Sequence, residues 1–183
     1  MLKLAIYGLS GSGKSTVAKI IKNYYQQRNK KVEFIKLAYP LYKIQQIFYE
    51  TAGKKIDFYD QDQVLLEAIA RHLRKISKTA LADDFIARLK LCTADVVIND
   101  DIRDYENDYP VLKREKFIFY RVFCDEPLRL ERLKARNDIT VQVNSETTRD
   151  IDKFEPDWEI DSSAGDLEST KTKIHRILET GRL

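Results

Sequence analysis

Short apolar runs alternate along this chain with longer stretches whose apolar residues recur at three- and four-residue spacing. The first pattern predicts buried strands and the second amphipathic helices. Residues 2–7 (LKLAIY) read as a strand, and residues 14–27 as a helix with Val17, Ile20, Ile21 and Tyr24 on one face. Residues 32–37 read as a second strand. Pro40 suits an early helical position, where its missing N–H has no intrahelical partner, so a helix is expected over 40–52 with Gly53 as its stop. Two further stripes predict helices: Val64, Leu65, Ala68, Ile69, Leu73 and Ile76, then Leu81, Phe85, Ile86 and Leu89. The β-branched run Val96-Val97-Ile98 marks a third strand over 95–98. FIFYRVF marks a fourth over 117–123, and residues 158–160 a short fifth. A charged helix over 127–136 separates the last two strands, and a helix over 167–180 closes the pattern. Strands separated by helices imply βα crossovers. The expected fold is therefore three-layer α/β, a five-stranded, mostly parallel sheet with helices on both faces.

Composition narrows the class. With 183 residues, 43% of them hydrophobic, the chain suffices for one packed domain over 1–183, and it is too apolar and aromatic to be disordered. Lys and Arg total 32 against 29 Asp and Glu. A net charge of +3 does not imply binding to polymeric nucleic acid, for which a strongly basic face would be expected, and no such partner is expected. No run of 18 apolar residues is present, and the apolar start breaks at Gly8 without the length or cleavage site of a signal peptide. Neither a membrane partner nor secretion is expected. Cys92 and Cys124 form no CxxC pair and no metal-ligand spacing, as in an ordinary reduced, cytoplasmic protein.

The glycines change the picture locally. There are six, and Gly8, Gly11 and Gly13 fall within six positions of one another. The segment Gly8-Leu9-Ser10-Gly11-Ser12-Gly13-Lys14-Ser15 satisfies GxxxxGK[ST], after a predicted strand and at the start of a predicted helix. In such a loop successive N–H groups turn inward onto phosphate oxygens, and the helix N-terminus adds its positive end. Candidate phosphate contacts are Gly8, Ser10, Gly11, Ser12, Gly13, Lys14, Ser15 and Thr16. Lys14 is expected to reach the β- and γ-phosphates of ATP, and Ser15 to ligate Mg²⁺. No Asn-Lys-x-Asp base-reading motif of a GTPase is present, and motors need longer chains. A small-molecule kinase suits this length.

The third predicted strand ends in Asn99-Asp100-Asp101-Ile102-Arg103. Ligands of parallel sheets gather at the carboxyl ends of strands. Asp100 and Asp101 are thus expected near the phosphate loop, to orient Mg²⁺, and Arg103 to hold an acceptor phosphate. This Asp-Asp-x-Arg ending resembles the corresponding segment of the phage-type deoxynucleoside monophosphate kinases and of animal-type phosphomevalonate kinases, P-loop kinases of the nucleoside monophosphate kinase group. Leu37-Ala38-Tyr39-Pro40-Leu41-Tyr42-Lys43 resembles the Phe-Ala-x-Pro-Leu-Lys segment of the former, with Tyr42 inserted before the lysine. The stretch from Phe154 through Asp157-Trp158 to Ile160 resembles their late Phe-x-x-Asp-Trp-x-Ile. Glu106 and the stretch Asp161-Ser162-Ser163-Ala164-Gly165 depart from the family pattern, which leaves the acceptor open.

The resemblance implies an acceptor region over about 38–92 and a short lid over about 129–150. It offers Lys43, Arg71, Arg74 and Arg103 as substrate contacts. Arg71 and Arg74, three residues apart, share a helix face that could equally be a solvated basic surface. Arg129, Arg132 and Arg136 recur at i, i+3 and i+7. Lid arginines in this group stabilise the transferred phosphoryl, which nominates Arg132 and Arg136 as catalytic beside Lys14, Asp101 and Arg103. Residues 137–149, with Glu146 and Arg149, are expected to close over substrate. The resulting expectation is a monomeric or homodimeric kinase using Mg²⁺ and ATP on a small nucleotide acceptor. Dephospho-coenzyme A, phosphomevalonate or a nucleoside as acceptor, or a binding module without turnover, are the alternatives.

Overall fold

The computed structural model describes residues 1–135, 138–140, 150–163 and 167–180. Five parallel strands carry the architecture: β1 (Leu2–Tyr7), β2 (Val32–Phe34), β3 (Val96–Asn99), β4 (Ile118–Phe123) and β5 (Trp158–Asp161). Their spatial order is β2-β3-β1-β4-β5, so the chain crosses to one side after β1 and to the other after β3. Leu4 of β1 lies opposite Ile98 on one side and Ile118 on the other. The ends of β1 and β3 therefore share a crevice where the winding reverses, the usual place for a ligand in an open parallel sheet.

Seven helices stand in the described residues: α1 (Lys14–Gln26), α2 (Tyr39–Thr51), α3 (Gln63–Ile76), α4 (Ala80–Leu91), α5 (Tyr109–Arg114), α6 (Glu126–Lys134) and α7 (Leu167–Thr180). Side chains alternate across β1, and that alternation divides the core in two. Leu4 and Ile6 pack with Val17 and Ile21 of α1 and Ile174 and Leu178 of α7. Ala5 and Tyr7 face Phe85 and Leu89 of α4, Leu112 of α5, and Phe154. A third, small cluster, Leu41, Ala70 and Leu81, joins α2, α3 and α4 apart from the sheet.

Three differences from the sequence expectations have local causes. The second strand ends at Phe34, although Ile35 still donates to the Ile98 carbonyl at 3.1 Å. Beyond it the backbone turns to meet the Asp101 carboxylate rather than a neighbouring strand. The stripe on α3 is apolar only in its middle: Val64 is 55% and Ile76 85% exposed, because the helix ends overhang the small α2–α4 cluster. Helix α5 and a single 3-10 turn over Ile151–Lys153 were not anticipated; both are too short to show a period.

Removing the Phe85 ring should leave a cavity between α4 and the sheet, so Phe85→Ala is expected to cost about 3–5 kcal/mol in urea denaturation. Ile76→Ser, on an exposed helix end, should change stability by less than about 0.5 kcal/mol.

Candidate active site

The loop after β1 is shaped by what surrounds it. A Cβ on Gly8 would stand 2.0 Å from the Val122 carbonyl oxygen of β4. A Cβ on Gly11 would stand 2.6 Å from the Arg129 carbonyl and 2.9 Å from Leu133, and its φ of +86° is itself a conformation L side chains rarely adopt. The loop is thus pressed between β4 and α6 and ends at Gly13, the N-cap of α1. Lys14 Nζ donates to the carbonyls of Gly8 and Leu9, both at 2.8 Å, so its ammonium spans the loop's mouth.

Arg129 is the floor of this loop, not a lid residue. It is 5% exposed, its guanidinium pairs twice with Glu126 at 2.7 Å, and Nη1 donates to the Ser10 carbonyl at 3.1 Å. Arg132 lies one turn further along α6 and donates to Ser162 Oγ at 2.9 Å and to its carbonyl at 3.1 Å. Ser162 Oγ in turn donates to the Ser12 carbonyl at 2.8 Å. Arg136, residues 141–149 with Glu146 and Arg149, and Ala164-Gly165 lie outside the described residues. The described piece 138–140 docks on the start of α3, where Thr140 Oγ1 donates to Asp62 at 2.7 Å. Burial of Asp62 works toward a higher pKa, but hydrogen bonds from Thr140, Leu65 and Tyr49 hold it below the usual carboxylate value.

At the end of β3 the two aspartates have separate tasks. Asp101 accepts the backbone N–H groups of Leu37 and Ala38, each at 2.9 Å, and the Asn99 side-chain amide at 2.7 Å. Its carboxylate fixes the backbone that opens α2. Asp100 meets Lys36, at 2.6 Å. Burial disfavours the Lys36 charge, yet Asp101 and Asp100 overcome it and raise its pKa, so Lys36 is a cation at neutral pH. Arg88 donates to the Lys36 carbonyl at 2.7 Å and secures this stretch from α4. The sequence reading missed Lys36, which lies in an irregular connection outside any motif.

Two hollows meet here. A cleft of about 580 Å³ over the loop is lined by Ser10, Gly11, Gly13, Lys14, Ser15, Thr16, Lys36, Asp100, Asp101, Arg103 and Arg132, among others. A tighter cavity of about 90 Å³ lies among α2, α3, α4 and the segment after β3, with Leu37, Leu41, Tyr42, Leu66, Ala70 and Leu81 as apolar wall and Asp101, Asp104, Asp108, Glu67 and Arg74 as charged lining. Arg103 borders both, and its guanidinium makes no hydrogen bond or ion pair among the described residues.

The other expected acceptor contacts fare differently. Lys43 is exposed on α2 with its ammonium 4.8 Å from the Tyr39 ring centre. The inserted Tyr42 takes the inward position, 6% exposed, and so turns Lys43 away; Lys43 lines neither hollow. Arg71 borders a shallow outer groove, together with Arg74 and Arg103. Arg74 is held by acids: Nη2 donates to Asp108 at 2.8 Å, and Nε lies 2.9 Å from Asp104.

No protein-family model matches the chain, and no curated protein matches it. Solved structures do. Shikimate kinase from Acinetobacter baumannii in complex with shikimate is similar over all of this chain and 96% of its own, at 16% identity and TM-score 0.56. Shikimate kinase from Bacteroides thetaiotaomicron matches over 97% of this chain and 98% of its own, at 14% identity and TM-score 0.54. That from Aquifex aeolicus matches over 98% of both chains, at 17% identity and TM-score 0.53. The chain has the shikimate kinase-like P-loop fold. At such identities the likeness concerns the fold alone.

Two expectations follow from the site's packing. Gly11→Ala should destabilise the protein by about 1–3 kcal/mol through strain and contact with α6, read as a lowered urea midpoint. Asp108, 3% exposed, is pushed up to about 7 by burial against the opposing pull of Arg74, with Asp104 and Asp101 adding to the rise. A carboxyl that binds its proton more tightly folded than unfolded makes the folded state gain stability as pH falls from about 7 toward about 4. Wild type should therefore gain urea resistance relative to Asp108→Asn between pH 8 and pH 5.

Proposed function

We propose that this protein transfers a phosphoryl group from Mg·ATP to the phosphate of a small acceptor, a (deoxy)nucleoside monophosphate. The observation that carries the reading is Arg103, a guanidinium without a side-chain partner among the described residues, at the boundary between the phosphate-loop cleft and the apolar cavity. An acceptor phosphate paired with Arg103 would face Lys14 across the cleft while the rest of the molecule enters the cavity. Its phosphate oxygen would attack the terminal phosphorus, the anhydride bond would break, and ADP would leave without a covalent enzyme intermediate.

The residues present suit ATP and magnesium. The loop leaves no room for side chains at Gly8 and Gly11, and Lys14 lies where the phosphates would displace two carbonyls as its partners. Ser15 with Asp100 would hold the metal, which when bound screens the phosphate charge. Lys36 and Arg132 would meet the charge that spreads over the transferred group. Asp101 would act through the backbone it fixes. The family resemblance of Asp100-Asp101-Ile102-Arg103 supports a phosphorylated acceptor, and the shared P-loop fold supports a kinase.

ADP release is to be measured with Mg·ATP against the nucleoside monophosphates, with shikimate, dephospho-coenzyme A and phosphomevalonate as controls. Stimulation by one or more monophosphates is expected, and stimulation only by another acceptor would overturn the reading. Lys14→Ala should lower kcat by at least about 100-fold with the urea midpoint unchanged. Arg103→Ala should raise KM for the acceptor far more than KM for ATP. ATP binding without turnover on any acceptor would instead favour a regulatory module.

A further inference from the structure

The cavity holds a feature that phosphate binding does not use. Asp108 precedes α5 at its N-cap position, where a carboxylate usually accepts N–H groups of the first helical turn. It makes no such bond. Its side chain turns instead to Arg74, which occupies Oδ2 at 2.8 Å. Oδ1 is buried and has no hydrogen-bond partner among the described residues. The residue is 3% exposed and belongs to the cavity wall. A buried acceptor left unpaired is costly, and a ligand that supplies a donor there removes that cost.

The surroundings select the kind of donor. Arg74 lies between Asp108 and Asp104, so this corner carries two carboxylates against one guanidinium, with Asp101 close enough to add to the negative field. Asp104 is fixed by other demands: its Oδ1 accepts the N–H groups of Glu106 and Asn107, at 3.0 and 2.8 Å. A group flanked by carbonyl oxygens would bring partial negative charge against these acids. An amino group brings two donors and no acceptor of its own. The apolar wall, Leu37, Leu41, Leu66 and Leu81, suits the faces of a flat ring.

We propose that Asp108 is a specificity-determining residue that accepts a hydrogen bond from the exocyclic amino group of the acceptor's base, so that cytosine or adenine monophosphates are preferred to their carbonyl counterparts. The inference rests on the nucleoside monophosphate reading above. The ionised carboxyl only accepts, whereas the protonated form can also donate to a carbonyl; burial raises its pKa to about 7, so the comparison belongs at pH 8.

The experiment measures kcat/KM with matched pairs that exchange amino for carbonyl at one position: dCMP against dUMP, CMP against UMP, dAMP against dIMP. In the wild type the amino member of at least one pair should be favoured by about 10- to 100-fold, the scale of one hydrogen bond to a buried charged acceptor. In Asp108→Asn, whose amide can also donate to a carbonyl, that ratio should fall below about threefold or invert. Equal kcat/KM within every pair, or an unchanged ratio in the variant, overturns the proposal while leaving the acceptor reading intact. Failure of all monophosphates as acceptors overturns both. If the variant is too unstable to assay, the wild-type ratios decide the matter: a carbonyl preference or none refutes it.

Discussion

One carboxylate organises the site. Asp101 takes two backbone N–H groups from the chain leaving β2 and an amide from Asn99 at the end of β3. Asn99 also donates to the Ile35 carbonyl and accepts from Ile102, so the two strand ends are cross-tied within a few residues. Hydrogen bonds to a charged acceptor are stronger than neutral ones, and these are largely shielded from water. Leu37, Ala38 and Leu41 reach the cavity wall because α2 starts where Asp101 holds it. Lys36 reaches Asp100 for the same reason. The cavity and the cationic side of the cleft thus share one anchor.

That anchor also separates two electrostatic regions. Toward the phosphate loop stand Lys14, Lys36, Arg103 and Arg132, whose charges suit several phosphates. Away from it, acids outnumber the single guanidinium of Arg74 at the far corner of the cavity. A molecule with an anionic end and a donor-bearing, flat, apolar end matches this division. A small polyanion does not, since its second charge would approach Asp104 and Asp108. The net charge of +3 conceals this arrangement entirely.

Legibility followed the range of the interactions. The phosphate loop is local: strand, turn and helix lie within residues 2–26, and Gly8 and Gly11 are needed because β4 and α6 press on them. All five strands were legible, since buried parallel strands are apolar runs. The late Phe-x-x-Asp-Trp segment proved structural: Phe154 stacks on Tyr109 with ring centres 4.7 Å apart, and Asp157 accepts the Phe119 N–H at 2.7 Å, joining β5 to β4. Lys36 was hidden because its importance comes from residues more than sixty positions away. Asp108 was hidden because its neighbour in sequence opens a helix too short to show a period.

The arginines make the same point about chemistry. Spacing alone grouped Arg129 with Arg132 and Arg136, yet Glu126, three residues before Arg129, pulls that guanidinium under the loop. Arg71 and Arg74 share a helix face, yet two aspartates engage the second and leave the first on an open groove. Arg103 differs from both in making no ion pair among the described residues, although Asp101 and Asp104 line the same hollows. Whether an arginine supports the fold or waits for a ligand depends on where the nearest carboxylates fall in space, and in this fold the chain after β3 determines that. It contributes Asp104 and Asp108 to Arg74 and leaves Arg103 without an ion pair among the described residues. The acids that neutralise Arg74 thereby do not engage Arg103.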